Sequence, residues 1–138
     1  MHPPVPSLER IRRAAQQFGR ESGARLIVLF GSAARAGGRP RDVDIGILCD
    51  GPLDAVAATN RFIQILGLQE VDVTDLRRAD PLLLALAARD GIPLFERGPG
   101  AFAAFASLAA RRFADTRKFR DAERDEVQAF ARMVRERG

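Results

Sequence analysis

The chain has 138 residues, of which 46% are hydrophobic and 29% are charged, and its formal net charge is +4. This size predicts one globular domain, 1–138, and no apolar run is long enough to cross a membrane. The basic residues alternate with acids and the chain has no Tyr or Trp for base stacking, so we do not expect nucleic-acid binding.

The amino-terminal region predicts a flexible lead followed by a helix. Residues 1–6 are rich in proline and contain no apolar signal segment, so we expect no export. Ser7 is a typical helix N-cap, and the helix is predicted to run to about Glu21. One helical stripe is formed by Leu8, Ile11, Ala15 and Phe18.

The next stretch predicts two adjacent strands joined by a loop rich in Gly and Arg. The first is the apolar run 26–30, and the second is the alternating run 42–47. Only eleven residues separate Phe30 from Asp42, which is short for a parallel crossover with its own helix, so the strands should be antiparallel. Asp42 and Asp44 should project from one face, while the core receives Val43, Ile45 and Ile47.

The residues around this loop have the chemistry of a phosphate and metal site. Two neighbouring carboxylates repel each other unless a cation lies between them, and oxygen-only ligands favour Mg²⁺. Gly31 can expose backbone amides, and Ser32 adds a hydroxyl and can begin a short helix over 33–36. A phosphate cradle facing paired carboxylates is typical of phosphoryl or nucleotidyl transfer.

Beyond Cys49, the one cysteine, the pattern predicts a helix over 53–66, a strand over 68–76 and a helix from Asp80 to about Asp90. The buried side of the first of these helices is predicted from Leu53, Val56, Ala57, Phe62, Ile63 and Leu66. Asp72 and Asp75 lie on opposite faces of the strand, because their positions differ by an odd number. A short strand follows over 92–96, and Pro93 predicts that it forms a sheet edge. A lone cysteine excludes an internal disulfide, so we expect a reducing cytoplasm.

The segment 101–138 predicts one long helix, or two helices with a bend between Asp115 and Ala122. Phe102, Phe105 and Phe113 recur at helical spacing, so the first part should pack on the sheet as core. The second part extends past what so small a domain covers. Its apolar positions either fold back on the domain or bind a partner.

The central motif resembles a known family. Gly31 and Ser32, the following Ala34 and Arg35, and the Asp42-x-Asp44 pair resemble the signature of the DNA polymerase β-like nucleotidyltransferase superfamily, and within it the MNT-type antitoxins. The chain departs from that signature at Ala36 and Arg41. The resemblance implies an α/β (α+β) fold, with a small mixed sheet of three to four strands flanked by helices and a long C-terminal helix.

The resemblance also implies a site and a function. Asp42, Asp44 and Asp72 would be the catalytic carboxylates and would bind Mg²⁺, with room for two ions, while Gly31, Ser32 and Arg35 would bind the ATP phosphates. The family's antitoxins transfer AMP from ATP to a hydroxyl, here a tyrosine of a cognate helical HEPN-type toxin in a hetero-oligomer. Two alternatives stay open: a non-catalytic antitoxin that neutralises its partner by contact, and a nucleotidyltransferase for a small molecule such as an antibiotic.

Overall fold

The structure, a computed structural model, describes residues 6–31, 43–67 and 70–137. The described residues form five helices and four strands, close to the predicted elements. In chain order these are α1 (Leu8–Ser22), β1 (Leu26–Phe30), β2 (Val43–Leu48), α2 (Ala55–Leu66), β3 (Val71–Asp75), α3 (Pro81–Asp90), β4 (Ile92–Glu96), α4 (Ala101–Asp115) and α5 (Arg117–Arg137).

The four strands form one mixed sheet in the order β3-β2-β1-β4. β1 is antiparallel to both β2 and β4, as the short spacing between β1 and β2 predicted. β2 and β3 are parallel and are connected through α2. β4 lies at an edge of the sheet, which agrees with the prediction from Pro93. The predicted fold class is confirmed.

Each face of the sheet is covered by a different pair of helices. The α1/α2 face buries alternate residues of the two central strands, which include Ile27, Leu29, Val43, Ile45 and Ile47. On the α3/α4 face, Leu26 and Val28 pack with Phe105 and Ala109 of α4. The predicted orientation of the apolar residues of β2 is therefore confirmed, and Asp44 lies on the α3/α4 face because its position has the other parity.

Capping residues set where the helices begin, and the cap of α2 shows that this helix starts later than predicted. The Asp54 carboxylate accepts a hydrogen bond of 3.0 Å from the backbone N–H of Ala57, so α2 begins at Ala55 and not at 53. The prediction for its buried side was wrong at Val56, which is 73% exposed, and at Ala57. The residues that α2 buries are Ala58, Phe62 and Leu66. Leu8, predicted on the buried stripe of α1, is also exposed.

The carboxyl-terminal segment consists of two helices that meet at Thr116, inside the range predicted for a bend. Phe105 and Ala109 of α4 are buried, as expected for a helix that packs on the sheet. Every residue of α5 whose burial is described is exposed, including Phe119, Val127 and Phe130. Over the ranges that the structure describes, no helix is long and apolar enough to cross a membrane.

Candidate active site

Asp44 is the second residue of β2 and lies between the two neighbouring strands. It pairs with Phe30 of β1 on one side and with Asp72 of β3 on the other. Residues that are paired across neighbouring strands project to the same face of a sheet, so Asp44 and Asp72 both lie on the α3/α4 face. Asp44 is half-buried and Asp72 is exposed. Adjacent strands are about 4.8 Å apart, which is within reach of two carboxylates that share a cation.

Gly31 follows directly after β1 and lies against the Asp44 carboxylate. Its φ is +77°, a backbone conformation that residues with a side chain rarely adopt. A Cβ at this position would overlap the Asp44 Oδ2 and would lie 3.1 Å from the Asp44 Cγ. The absence of a side chain therefore lets the end of β1 and the carboxylate of β2 approach closely. The structure thus places Gly31 and Asp72 on either side of Asp44, and the roles predicted for these three residues stay predictions.

The remaining predicted site residues lie outside the described residues. These are Ser32, Arg35 and Asp42, together with the short helix predicted over 33–36. Within 6–31, 43–67 and 70–137, no group of three His, Cys, Asp or Glu residues is arranged to hold a metal ion. Because Asp42 is not among those residues, the cluster of three carboxylates stays a prediction.

Thr74 is a residue of this surface that the sequence reasoning did not assign to the site. It follows Asp72 by two positions on the same face of β3 and pairs with Gly46 of β2. Gly46 has no side chain, and the side chain of Leu76 occupies the space beside it. A Cβ at Gly46 would lie 2.8 Å from a methyl carbon of Leu76. The alternation of side chains along β3 is the sequence signal that places Thr74 on the same face as Asp72.

The helices that cover this face leave its β2 and β3 side accessible. α3 and α4 pack on each other and on β1 and β4. Asp72 is exposed and Thr74 is half-buried. The described helices therefore leave the end of the sheet that carries Asp44 and Asp72 uncovered.

Asp75 and Cys49 lie away from this surface. Asp75 pairs with Ile47, has the opposite parity to Asp72, and its Oδ1 accepts a hydrogen bond of 3.0 Å from the backbone N–H of Arg77. Cys49 follows the far end of β2 and is half-buried. Burial raises the pKa of its thiol, with a further contribution from the negative charge of Asp75. The Cys49 thiol is therefore protonated at neutral pH and is not an activated nucleophile.

The sequence matches the family model described as polymerase beta, nucleotidyltransferase over residues 13–99. That range is more than half of the chain and contains Gly31, Asp44 and Asp72. The chain belongs to the polymerase beta nucleotidyltransferase family. It is therefore a nucleotidyltransferase, which agrees with the activity that the resemblance implied.

This nucleotidyltransferase is similar in structure to chains of toxin–antitoxin complexes. A chain of a toxin–antitoxin crystal structure with AMP-PNP is 24% identical, and the match covers 85% of this chain and 98% of that chain with a TM-score of 0.74. A chain of a mutant of the MntA–HpeT toxin–antitoxin complex is 25% identical, with 90% and 99% covered and a TM-score of 0.73.

A third similar structure is that of a tri-AMPylated Shewanella oneidensis HEPN toxin in complex with MNT antitoxin. The matching chain is 23% identical, with 87% of this chain and 98% of that chain covered and a TM-score of 0.72. No curated protein sequence matches this nucleotidyltransferase. The similar structures share its fold over nearly their whole length.

Proposed function

We propose that this nucleotidyltransferase transfers AMP from ATP to a tyrosine hydroxyl of a HEPN-type toxin and thereby acts as the antitoxin of the pair. The observation that carries the proposal is the arrangement of Gly31, Asp44 and Asp72. These residues put a glycine turn and two carboxylates on one accessible surface at the end of the sheet. A phosphate site facing carboxylates is the arrangement that nucleotidyl transfer requires.

The similar structures support the choice of nucleotide and acceptor in this proposal. One of those toxin–antitoxin structures holds AMP-PNP, an analogue of ATP. Another has an AMPylated HEPN toxin in complex with an MNT antitoxin. These observations favour ATP as the donor and a toxin as the acceptor for this chain as well.

The donor set of the site fits a divalent cation. Asp44 and Asp72 offer carboxylate oxygens from neighbouring strands, and Asp42 has the same parity as Asp44 on the run that enters β2. We therefore propose that Asp42, Asp44 and Asp72 would hold Mg²⁺, with room for two ions. When bound, the ions neutralise the phosphate charge and lower the pKa of the acceptor hydroxyl.

The other residues of the chain bind and orient the two substrates. Backbone amides at the turn of Gly31 would bind the phosphates, and Ser32 and Arg35 would supply a hydroxyl and a positive charge. Asp72 is exposed, so an acceptor oxygen that attacks the α-phosphorus could reach its carboxylate. The tyrosine oxygen forms a bond to that phosphorus, the bond to pyrophosphate breaks, and the phenolic proton is released.

A protein acceptor suits this chain better than a small molecule. The domain uses α4 to complete its own core, and the described residues add no further element over the Asp72 side of the sheet. A protein brings its own surface to such an accessible site. The exposed apolar residues of α5, among them Phe119, Val127 and Phe130, offer a separate surface for the same partner in a hetero-oligomer.

A transfer assay with α-labelled ATP and Mg²⁺ tests the proposal. The acceptors are the partner HEPN toxin and toxin variants in which single tyrosines are replaced by phenylalanine. The enzyme is compared with its Asp42→Asn/Asp44→Asn double variant. We expect label on the toxin with the wild type only, and loss of the label with one Tyr→Phe variant. A stable complex without label would instead identify a non-catalytic antitoxin, and label on an antibiotic alone would identify a small-molecule enzyme.

A further inference from the structure

A basic cleft runs between α1 and the edge strand β4. It has a volume of about 420 Å³ and is lined by Arg12, Gln16 and Arg20 of α1 and by residues 93–96. The three α1 residues are spaced by four, so they form one row along the helix. The cleft lies on the α1/α2 side of the sheet and at the edge opposite β3, whereas Asp44 and Asp72 lie on the α3/α4 face of β2 and β3. It is therefore separate from the candidate active site.

The strand in this cleft has one edge available for pairing. β4 pairs with β1, and no other described strand pairs with it. An edge strand presents unpaired backbone N–H and C=O groups, to which an extended peptide can add as a further strand. Pro93 has no N–H to donate, and the pairing of β4 with β1 shifts register between Pro93 and Phe95. Neighbouring residues of a strand direct their backbone groups to opposite edges, so only part of the run 94–96 can pair with an added strand.

The side chains of the cleft leave a net positive charge. Arg12 and Arg20 take part in none of the side-chain hydrogen bonds and ion pairs found among the described residues, and Arg20 interacts only electrostatically with Glu21, whose carboxylate is paired with Arg61. By contrast, the neighbouring Arg13 pairs with Glu9 on the same helix. The one acid of the lining, Glu96, accepts a hydrogen bond of 2.8 Å from the backbone N–H of Phe102, and the amino-terminal end of α4 compensates its charge. The cleft is therefore complementary to an acidic ligand.

The spacing of the two arginines matches an extended peptide. Arg20 follows Arg12 by eight positions in the helix, a rise of about 12 Å. Residues i and i+4 of a strand lie on the same face and are about 13 Å apart. A strand added to β4 with acids at i and i+4 would therefore present one carboxylate to each arginine.

The same charges disfavour a second copy of this chain in the cleft. Antiparallel pairing of two β4 edges about a two-fold axis would put both α1 helices on the same side of the joined sheet. Arg12 and Arg20 of each copy would then face those of the other copy. Like charges in such positions repel each other, so the arginines oppose self-pairing while they attract an acidic partner.

The geometry points to a docking site for an extended acidic segment of a partner protein, which adds to β4 as a fifth strand and places acids at i and i+4 against Arg12 and Arg20. This inference goes beyond the proposed function and does not depend on it. Its test is a binding experiment that involves neither ATP nor transfer.

The probe is a short fluorescein-labelled peptide of alternating Val and Thr that carries two Glu residues four positions apart. The matched control peptide carries them three positions apart, which puts the acids on opposite faces. We expect the first peptide to bind at least fivefold more tightly by fluorescence anisotropy. It should also slow amide hydrogen exchange across residues 92–96 of the full chain.

Two charge-reversal variants locate the site. Arg12→Glu/Arg20→Glu should weaken peptide binding at least tenfold. Arg111→Glu/Arg112→Glu, on exposed positions of α4 and with the same change of net charge, should leave it within twofold. Equal binding of the two peptides, no binding, or an equal loss in both variants would overturn the inference. Displacement of the peptide by a single-stranded oligonucleotide that binds as tightly would also overturn it, because the cleft would then be a polyanion site.

Discussion

Asp44 and Asp72 are direct partners across the parallel pairing of β2 and β3, so their carboxylates leave the same face of the sheet side by side. The two residues are far apart in the sequence, since α2 lies between them. The crossover through α2 is what returns the chain in the same direction and aligns the two acids. Repulsion between them is compensated most simply by a shared cation, which is the basis of the following prediction.

Replacing Asp72 should abolish AMP transfer, whereas replacing Asp75 should not. Asp72→Asn removes a proposed metal ligand, and an interaction of several kcal/mol corresponds to a loss of at least about 100-fold in kcat. Asp75→Asn changes the same residue type on the same strand but on the other face, and an amide oxygen still accepts the hydrogen bond from Arg77. Label transfer from α-labelled ATP measures both variants. Equal activity of the two would contradict the assignment of Asp72.

Gly31→Ala should lose transfer, whereas Gly23→Ala should keep it. Both glycines have positive φ, +77° and +71°, so each substitution introduces a backbone strain of about 1–2 kcal/mol. Only at Gly31 would the new Cβ overlap the Asp44 carboxylate, because nothing lies within 4 Å of the corresponding position at Gly23. Thermal unfolding should show that both variants stay folded at the assay temperature, with a larger destabilisation for Gly31→Ala because of the overlap. A Gly31→Ala variant with normal transfer would show that this close approach is not required.

Gly46 and Leu76 should be energetically coupled. A Cβ at Gly46 would lie 2.8 Å from Leu76, which is fully buried, so Gly46→Ala should cost about 1–3 kcal/mol of the free energy of unfolding. Leu76→Ala should cost about 2–5 kcal/mol, since it leaves a cavity. In the double variant the cavity accepts the added methyl group. The loss of unfolding free energy should therefore be smaller than the sum of the losses in the two single variants. Urea unfolding of the four proteins measures the coupling, and strict additivity would contradict the contact.

The ion pair between Glu21 and Arg61 should make stability depend on pH in the acid range. Hydrogen bonds from Arg61 and Gln17 lower the pKa of Glu21 from 4.5 to about 2 in the folded protein. A lowered carboxyl pKa stabilises the fold above the unfolded value, and this contribution is lost as the pH falls towards about 2.

Glu21→Gln should therefore have a lower Tm than the wild type at neutral pH, and the difference should disappear between pH 4.5 and about 2. Circular dichroism melting curves measure it. Glu9→Gln is the matched variant, because Glu9 pairs with Arg13 within α1, whereas Glu21 joins α1 to α2. A difference in Tm for Glu21→Gln that is unchanged at low pH would contradict the role of the ion pair.

Removal of α5 should separate partner binding from folding. α5 contacts α4, where Arg120 lies 3.7 Å from the centre of the Phe113 ring, but its apolar residues are exposed. A chain that ends at Thr116 should therefore unfold at nearly the same urea concentration as the full chain. It should bind the HEPN toxin at least tenfold more weakly, as measured by calorimetry. A truncated chain that binds as tightly would assign the toxin interface to another surface.

The sequence by itself determined the elements and their local ends. Ser7, Asp54 and Asp80 cap their helices through hydrogen bonds to groups three residues away. The two-residue period of the strands placed Val43 in the core and Asp44 on the other face. Such signals are contained within a few neighbouring residues, so they can be read from the sequence alone. The prediction for the buried side of α2 was wrong because the i, i+4 row through Phe62 and Leu66 continues to Ala58, and Val56 and Ala57 lie off that row.

The tertiary structure alone decided which distant residues meet. The parallel register that pairs Asp44 with Asp72, the packing of Leu76 over Gly46, and the row of arginines beside β4 all join segments that are remote in the chain. Where these segments meet depends on contacts among many residues of the two hydrophobic cores. No short sequence pattern specifies those contacts. Parity predicted the face that Asp72 occupies, but only the folded sheet determined its neighbour.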